Sequence, residues 1–223
     1  MENPKEEHFC TDDVILPRDA VAEIGESVMV HLVFIISGIS ALLYQLIWQR
    51  SLLMLYGSNT ESVAMVVTAF MLGLGFGSIV GGEVSKRPGA QLILLFSAIE
   101  LLIGVYGTIS LRLFQWVGTY TLQADMLETG LLAFALVFVP TLLMGATLPM
   151  LVAYRVNSTG QVGQSVSWLY FVNTLGGGLG AFLAGFYLLR RFGLAHSINL
   201  AAALNLFCAL AVLIVWKSRK KRP

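Results

Sequence analysis

The sequence predicts an all-α membrane protein of about six transmembrane helices, built as two inverted three-helix repeats. Three observations lead to this fold class: an apolar composition, six long runs that are almost free of charge, and an internal repeat. Hydrophobic residues fill 57% of the 223 positions and charged residues only 12%. Soluble domains carry roughly 25% charged residues. So few charged residues cannot provide the polar surface of a water-soluble domain. The lipid bilayer is therefore the predicted solvent of this chain.

Six segments are long and apolar enough to cross a bilayer, which takes roughly 20 mostly apolar residues in a helix. The predicted spans are residues 27–49, 62–82, 91–111, 129–154, 165–189 and 195–216. Each must be helical, because in lipid the backbone has to satisfy its own hydrogen bonds. Pro140 and Pro149 predict a kinked or irregular fourth helix. Four tryptophans near span ends are expected to be interfacial anchors: Trp48, Trp116, Trp168 and Trp216.

The charged residues divide the chain into an acidic tail (1–27), a six-helix membrane domain (28–216) and a basic tail (217–223). The acidic tail holds eight acidic and two basic residues. Ten basic residues would share a side of the membrane with both termini, against four on the opposite side. Because cytoplasmic loops carry an excess of Lys and Arg, we expect both termini in the cytoplasm, with the bundle in a bacterial inner (plasma) membrane.

The second and fifth spans carry matching glycines. At a constant offset of 103 residues, Gly73, Gly75, Gly77 and Gly82 recur as Gly176, Gly178, Gly180 and Gly185. The same offset lays the first span on the fourth and the third span on the sixth. Since three is an odd number of spans, the second half would be inverted in the membrane, as in many transporter folds.

Small residues at four-residue spacing predict close helix packing in the second and fifth spans. The expected packing faces are Gly73, Gly77 and Gly81 in the second span and Gly177, Ala181 and Gly185 in the fifth. The glycine cluster at 176–181 also matches the dinucleotide fingerprint G-x-G-x-x-A. That fingerprint needs a preceding strand and a later acidic residue, and this run has neither, so we interpret it as a packing motif.

Glu100 lies in the middle of the third predicted span. A carboxylate at mid-bilayer is costly, so it normally faces the bundle interior or a water-filled cavity. It is either a proton or cation site or a protonated acid bonded to a neighbouring helix. The candidate intramembrane polar site is Glu100, Tyr44, Gln45, Asn173, Thr174 and Asn205. No metal site, cofactor motif or catalytic constellation is predicted.

Five sequence blocks resemble a known family. They are SGISALLYQLIWQR from Ser37, AFMLGLGFGS from Ala69, IELLIGVYG from Ile99, PTLLMGATLP from Pro140 and YFVNTLGGGLGAFLAGF from Tyr170. Residues 30–210 thereby resemble the membrane region of the membrane-bound spermidine synthase-like proteins, which fuse a major-facilitator-like region with a spermidine synthase. The resemblance implies a half-major-facilitator-like bundle. The synthase domain of those fusions has no counterpart in this sequence, so we do not expect the chain to be an enzyme.

Two functions remain open. The first is an accessory or anchoring subunit of a larger membrane complex, suggested by the absent synthase domain and the charged tails. The alternative is a half-size, transporter-like protein that works as a homodimer on a small polar or cationic solute such as a polyamine, with Glu100 as the proton or cation site. The expected partners are the lipid bilayer and either a protein partner or a second copy, without nucleic acid. A transporter predicts a polar path, and an anchor predicts paired polar groups in a dry interior.

Overall fold

A computed structural model of the chain describes residues 18–56, 60–87, 91–121 and 126–220. The helices are α1 (Arg18–Tyr56), α2 (Thr60–Ser85), α3 (Leu92–Tyr120), α4 (Met126–Thr159), α5 (Val162–Leu183) and α6 (Gly193–Lys220). α5 continues through a π-helical segment, Ala184–Leu188, and a last short α-helical turn, Leu189–Arg191. Residues 1–17 of the predicted acidic tail and 221–223 of the basic tail lie outside the described residues.

The structure confirms a six-helix, all-α membrane fold, with one apolar helix for each predicted span. The apolar stretches are Gly25–Leu55, Val63–Ser85, Leu92–Tyr120, Glu128–Thr159, Val162–Arg191 and Gly193–Ser218. Every stretch ends beyond its predicted C-terminal bound, whereas the second and third begin one residue later than predicted. α1 has 39 residues, which is roughly 58 Å of helix, about twice the thickness of a bilayer's hydrocarbon core. It is therefore long enough to project out of the membrane.

The helices pack in a pattern with pseudo-two-fold symmetry. α2 lies along α4 and α1 lies along α5, while α3 packs on α6. Further contacts join α1 to α6 and α3 to α4. Exchanging α1 with α4, α2 with α5 and α3 with α6 converts this set of contacts into itself. That is the packing expected of two inverted three-helix repeats.

The symmetry extends to individual close approaches between backbones. A Cβ on Gly77 of α2 would overlap the carbonyl group of Leu142 in α4. A Cβ on Gly180 of α5 would overlap the carbonyl group of Ile39 in α1. Ile39 and Leu142 are also 103 residues apart in the sequence. A glycine thus packs against a backbone carbonyl in the same way in the α2–α4 pair and in the α1–α5 pair.

The packing face of α5 is one residue away from the predicted face. On α2, the predicted residues Gly73, Gly77 and Gly81 are buried against α4. On α5, the residues buried at four-residue spacing are Gly176, Gly180 and Ala184. Gly177 contacts the side chain of Leu42 and Ala181 is half-buried, but Gly185 is exposed with open space around it. Because residues 176–178 are all glycine, either Gly176 or Gly177 could begin a packing face at four-residue spacing. The offset of 103 from Gly73 identifies Gly176, which begins the face that the structure shows.

α4 continues as an α-helix through Pro140 and Pro149, and the irregular segment of the bundle is the π-helical part of α5 instead. Proline has no N–H, so Pro140 leaves the carbonyl of Leu136 without its helical donor. The hydroxyl of Tyr106 in α3 donates to that carbonyl at 2.5 Å. This bond satisfies a backbone group that lipid could not satisfy and holds α3 against α4.

We expect Tyr106→Phe to lower the free energy of unfolding by about 1 kcal/mol, as for other interhelical hydrogen bonds in membranes. Pro140→Ala restores a helical donor for Leu136, so most of this loss should vanish in a Pro140→Ala background. Unfolding curves in mixed detergent micelles for the four members of the cycle measure the effect. An equal loss in both backgrounds would show that Tyr106 does not act through the Leu136 carbonyl.

Trp48 is a core residue and not the predicted interfacial anchor. Its side chain is fully buried, and its indole N–H donates to the hydroxyl of Ser110 at 3.1 Å. The ring stacks on Tyr44, with centroids 4.8 Å apart, and meets Tyr106 and Phe114 edge-on. The prediction failed because α1 runs on to Tyr56, which places Trp48 about two turns inside the helix.

Candidate intramembrane polar site

Glu100 of α3 joins three helices through its carboxyl group. The Ser37 hydroxyl of α1 donates to one oxygen at 2.6 Å, and the Asn205 side-chain amide of α6 donates to the other at 2.6 Å. All three side chains are buried, and Glu100 is 0% exposed. The structure thus brings together Glu100 and Asn205 of the predicted site. It adds Ser37, which the sequence does not single out because serine in a helix commonly bonds its own backbone.

No cation pairs with Glu100 among the residues that the structure describes. The ion pair between Lys86 and Glu83 is exposed, at the end of α2 and away from Glu100. The Glu100 carboxyl is therefore held by neutral groups alone. A serine hydroxyl can donate to a carboxylate or accept from a carboxylic acid, so this pair can accommodate the carboxyl with or without its proton. The arrangement is suited to taking up and releasing a proton.

A cavity of about 280 Å³ lies beside this cluster in the middle of the bundle, and all six helices contribute to its wall. Its polar lining residues are Ser37, Ser40, Ser78, Thr147, Tyr170, Asn173 and Asn205. Two of them, Ser37 and Asn205, are the hydrogen-bond partners of Glu100. One layer of side chains therefore separates the carboxyl group from the cavity.

Both repeats contribute equivalent positions to the cavity wall, because some of its lining residues are 103 positions apart in the sequence. Leu42 and Gly145 are one such pair, and Phe70 and Asn173 are another. The second pair is chemically unequal, because a buried phenyl ring of the first repeat corresponds to an amide of the second. The pseudo-symmetry therefore relates the helices but not the polarity of every lining position.

Two buried polar atoms lack a hydrogen-bond partner within the described ranges, the Asn205 side-chain oxygen and the Tyr44 hydroxyl. Asn205 donates its amide to Glu100 and is a residue of the cavity wall, so its unused acceptor belongs to a side chain that joins the two features. Tyr44 stacks on Trp48 and lies so close to Gly107 that a Cβ there would overlap its ring. Of the two atoms, only the Asn205 oxygen belongs to a residue of the cavity.

The remaining predicted site residues are dispersed. Asn173 is half-buried and lines the cavity, whereas Thr174 is exposed on the outside of α5 and Gln45 is half-buried outside the cavity lining. Thr174 follows Asn173 by about 100° of helix rotation, and this rotation places its side chain on the exposed outside of α5. The structure therefore reduces the candidate site to Glu100 with Ser37 and Asn205, and Asn173 in the adjoining cavity wall.

No protein-family model, curated protein or solved structure matches the chain. Within the described ranges, no group of three or more His, Cys, Asp or Glu side chains could hold a metal ion. The functional argument therefore depends on the cavity and the Glu100 cluster.

Proposed function

We propose that this membrane protein is a transporter-like unit that binds a small polar or cationic solute in its central cavity, with Glu100 as the proton or cation site. The observation that carries the proposal is the double role of Ser37 and Asn205. Each holds one oxygen of the Glu100 carboxyl, and each forms part of the cavity wall. A solute that displaces or reorients either side chain changes the hydrogen bonding of the buried Glu100 carboxyl group.

The lining offers suitable groups for such a solute. A cationic ammonium group needs hydrogen-bond acceptors, and the Asn205 side-chain oxygen is one whose bonding capacity is not used within the described residues. Attraction between an ammonium group and the Glu100 carboxylate is strong in an interior of low dielectric constant. The cavity volume, about 280 Å³, lies near the lower end of ligand pockets, which measure roughly 300–1,000 Å³. Small solutes are therefore favoured.

The resemblance to the membrane region of spermidine synthase-like proteins is part of this proposal. It makes a polyamine the first solute to test. A homodimer is the expected working form of a half-size bundle, in a bacterial inner membrane, and the excess of basic residues on one side predicts that both termini are in the cytoplasm. Inverted repeats around a midplane site are common in secondary transporters, and this also supports a transporter-like function.

The test is solute uptake into proteoliposomes that contain the purified full chain and an internal pH-sensitive dye. We expect uptake of radiolabelled spermidine or putrescine, with a change in internal pH, and we expect Glu100→Gln to reduce both signals to those of protein-free liposomes. Glutamine can keep both hydrogen bonds but cannot exchange a proton or carry the charge. Glu83→Gln is the matched control, because Glu83 is exposed and should be dispensable. Undiminished uptake by Glu100→Gln would remove Glu100 from the mechanism.

The second candidate function is the accessory or anchoring subunit, and the cavity mouth favours it. Ser78 and Tyr170 are the exposed residues of the cavity lining. Both lie about two turns from the nearer end of their helices, so the mouth opens within the membrane-spanning part of the bundle. Polar groups there are better covered by protein than by lipid. Gentle extraction from the native membrane distinguishes the two: a stoichiometric partner favours the accessory role, and a single chain or homodimer favours the transporter.

A further inference from the structure

A second cavity, of about 460 Å³, lies at the end of the bundle where α1 begins, α4 ends and α5 begins. One part of its lining is polar, with His31, Arg155, Thr159, Gln164 and Ser165. The other part is apolar and includes Leu32, Trp168 and Val172. The cavity is therefore amphipathic, and it is separate from the central cavity and from the Glu100 cluster.

The Arg155 side chain gives the polar part a positive charge. It is half-buried in α4, and neither an acidic side chain nor any hydrogen bond engages its guanidinium group within the described ranges. The hydroxyl of neighbouring Tyr154 is bonded to Glu26, and these two residues line a different, much smaller cavity. Arg155 thus presents to this cavity a cation that pairs with none of the described acidic residues, beside hydroxyl and amide groups.

Other groups reinforce the preference for an anion. Gln164 and Ser165 belong to the first turn of α5, where the helix dipole contributes a partial positive charge. The His31 ring is held in place by a contact of 2.5 Å between its Nδ1 and the carbonyl of Ser27. The guanidinium of Arg155 and the side-chain amide of Gln164, around one space, match the several oxygens of a phosphate group.

We propose that this cavity binds the phosphate group of an anionic phospholipid, with an acyl chain lying along Leu32, Trp168 and Val172. Arg155 lies four residues before the end of α4, or about 6 Å along the axis, a distance similar to the thickness of one headgroup layer. Basic pockets between transmembrane helices are a known way of holding anionic headgroups. The apolar part of the lining favours a lipid over a free phosphate ester, which shares the same headgroup chemistry.

The test measures binding of dioleoyl phosphatidylglycerol to the purified full chain by native mass spectrometry, with dioleoyl phosphatidylcholine as the neutral lipid. Inorganic phosphate and glycerol 3-phosphate, assayed by thermal shift, are the soluble probes. We expect selective retention of phosphatidylglycerol, weakened about tenfold by Arg155→Gln. The matched control is Arg87→Gln, because Arg87 is exposed at the end of α2 and does not line the cavity.

Each outcome decides the proposal. Arg155-dependent retention of phosphatidylglycerol supports the lipid site. Arg155-dependent protection by the soluble phosphates, without retention of lipid, overturns the lipid as occupant and leaves a phosphate site. Equal retention by wild type and Arg155→Gln, or equal losses in the Arg155 and Arg87 variants, refutes a specific site. If Arg155→Gln does not fold, Gln164→Leu at an exposed position of α5 provides the same comparison with a several-fold loss.

Discussion

Gly77→Ala and Gly180→Ala should each lower the free energy of unfolding by about 1–3 kcal/mol, as overpacking of a close-packed interior does. At both positions the new methyl group would overlap a backbone carbonyl of the neighbouring helix, Leu142 for Gly77 and Ile39 for Gly180. A backbone carbonyl cannot move aside as a flexible side chain can, so the two helices must separate. The separation loses van der Waals contacts that lipid does not replace.

The chain supplies its own controls for these two substitutions. Gly75 and Gly178 lie in the same helices, are related by the same offset of 103, and have nothing within 4 Å of a Cβ added to them. Gly75→Ala and Gly178→Ala should leave stability unchanged or raise it by up to about 1 kcal/mol through better helix propensity. Reversible unfolding in mixed detergent micelles measures all four variants. Similar losses at Gly75 and Gly77 would contradict the interlocked packing.

Asn205→Leu should destabilise the bundle by about 1–3 kcal/mol, because it removes one of the two donors from a buried carboxyl group. Leucine is close to asparagine in size, so the loss reflects the missing hydrogen bond and not a large cavity. The control is Asn199→Leu in the same helix, where the side chain is exposed and a change close to zero is expected. The unfolding assay in mixed micelles applies here as well.

Measuring the effect of Asn205→Leu in a Glu100→Leu variant identifies the group through which Asn205 acts. In a Glu100→Leu chain no carboxyl group remains to be satisfied, so adding Asn205→Leu should have a much smaller effect than it has alone. If Asn205→Leu were equally destabilising in both backgrounds, its role would be packing, and the bond to Glu100 would contribute little.

The sequence predicted the spans and the repeat because both depend on periodic features of a single chain. Long apolar runs specify membrane helices, and the constant offset between glycines predicted the helix exchange that the contacts display. Glu100 and Asn205 could be selected because an acid and an amide are conspicuous in apolar spans. Ser37 could not be, since nothing in the sequence distinguishes it from the other serines that bond to their own backbone.

The features that sequence could not predict depend on rotation about helix axes and on packing among several helices. Trp48 was assigned to an interface because the end of α1 was placed too early, and Thr174 was assigned to the site beside Asn173 without regard to helix rotation. The central cavity lies between all six helices, so the sequence of no single segment predicts it. The cavity around Arg155 combines parts of three helices, two of which join at a turn through Gly160 with positive φ.

The hydrogen bond between Glu100 and Asn205 joins residues 105 positions apart. During synthesis, the helix that carries the carboxyl group enters the membrane long before the helix that carries its amide partner. Only Ser37, on the first helix, is already in place to receive it. The last helix therefore completes the polar core of the bundle, and the interval before it arrives is the stage of biogenesis at which an unfinished chain is most exposed to quality control.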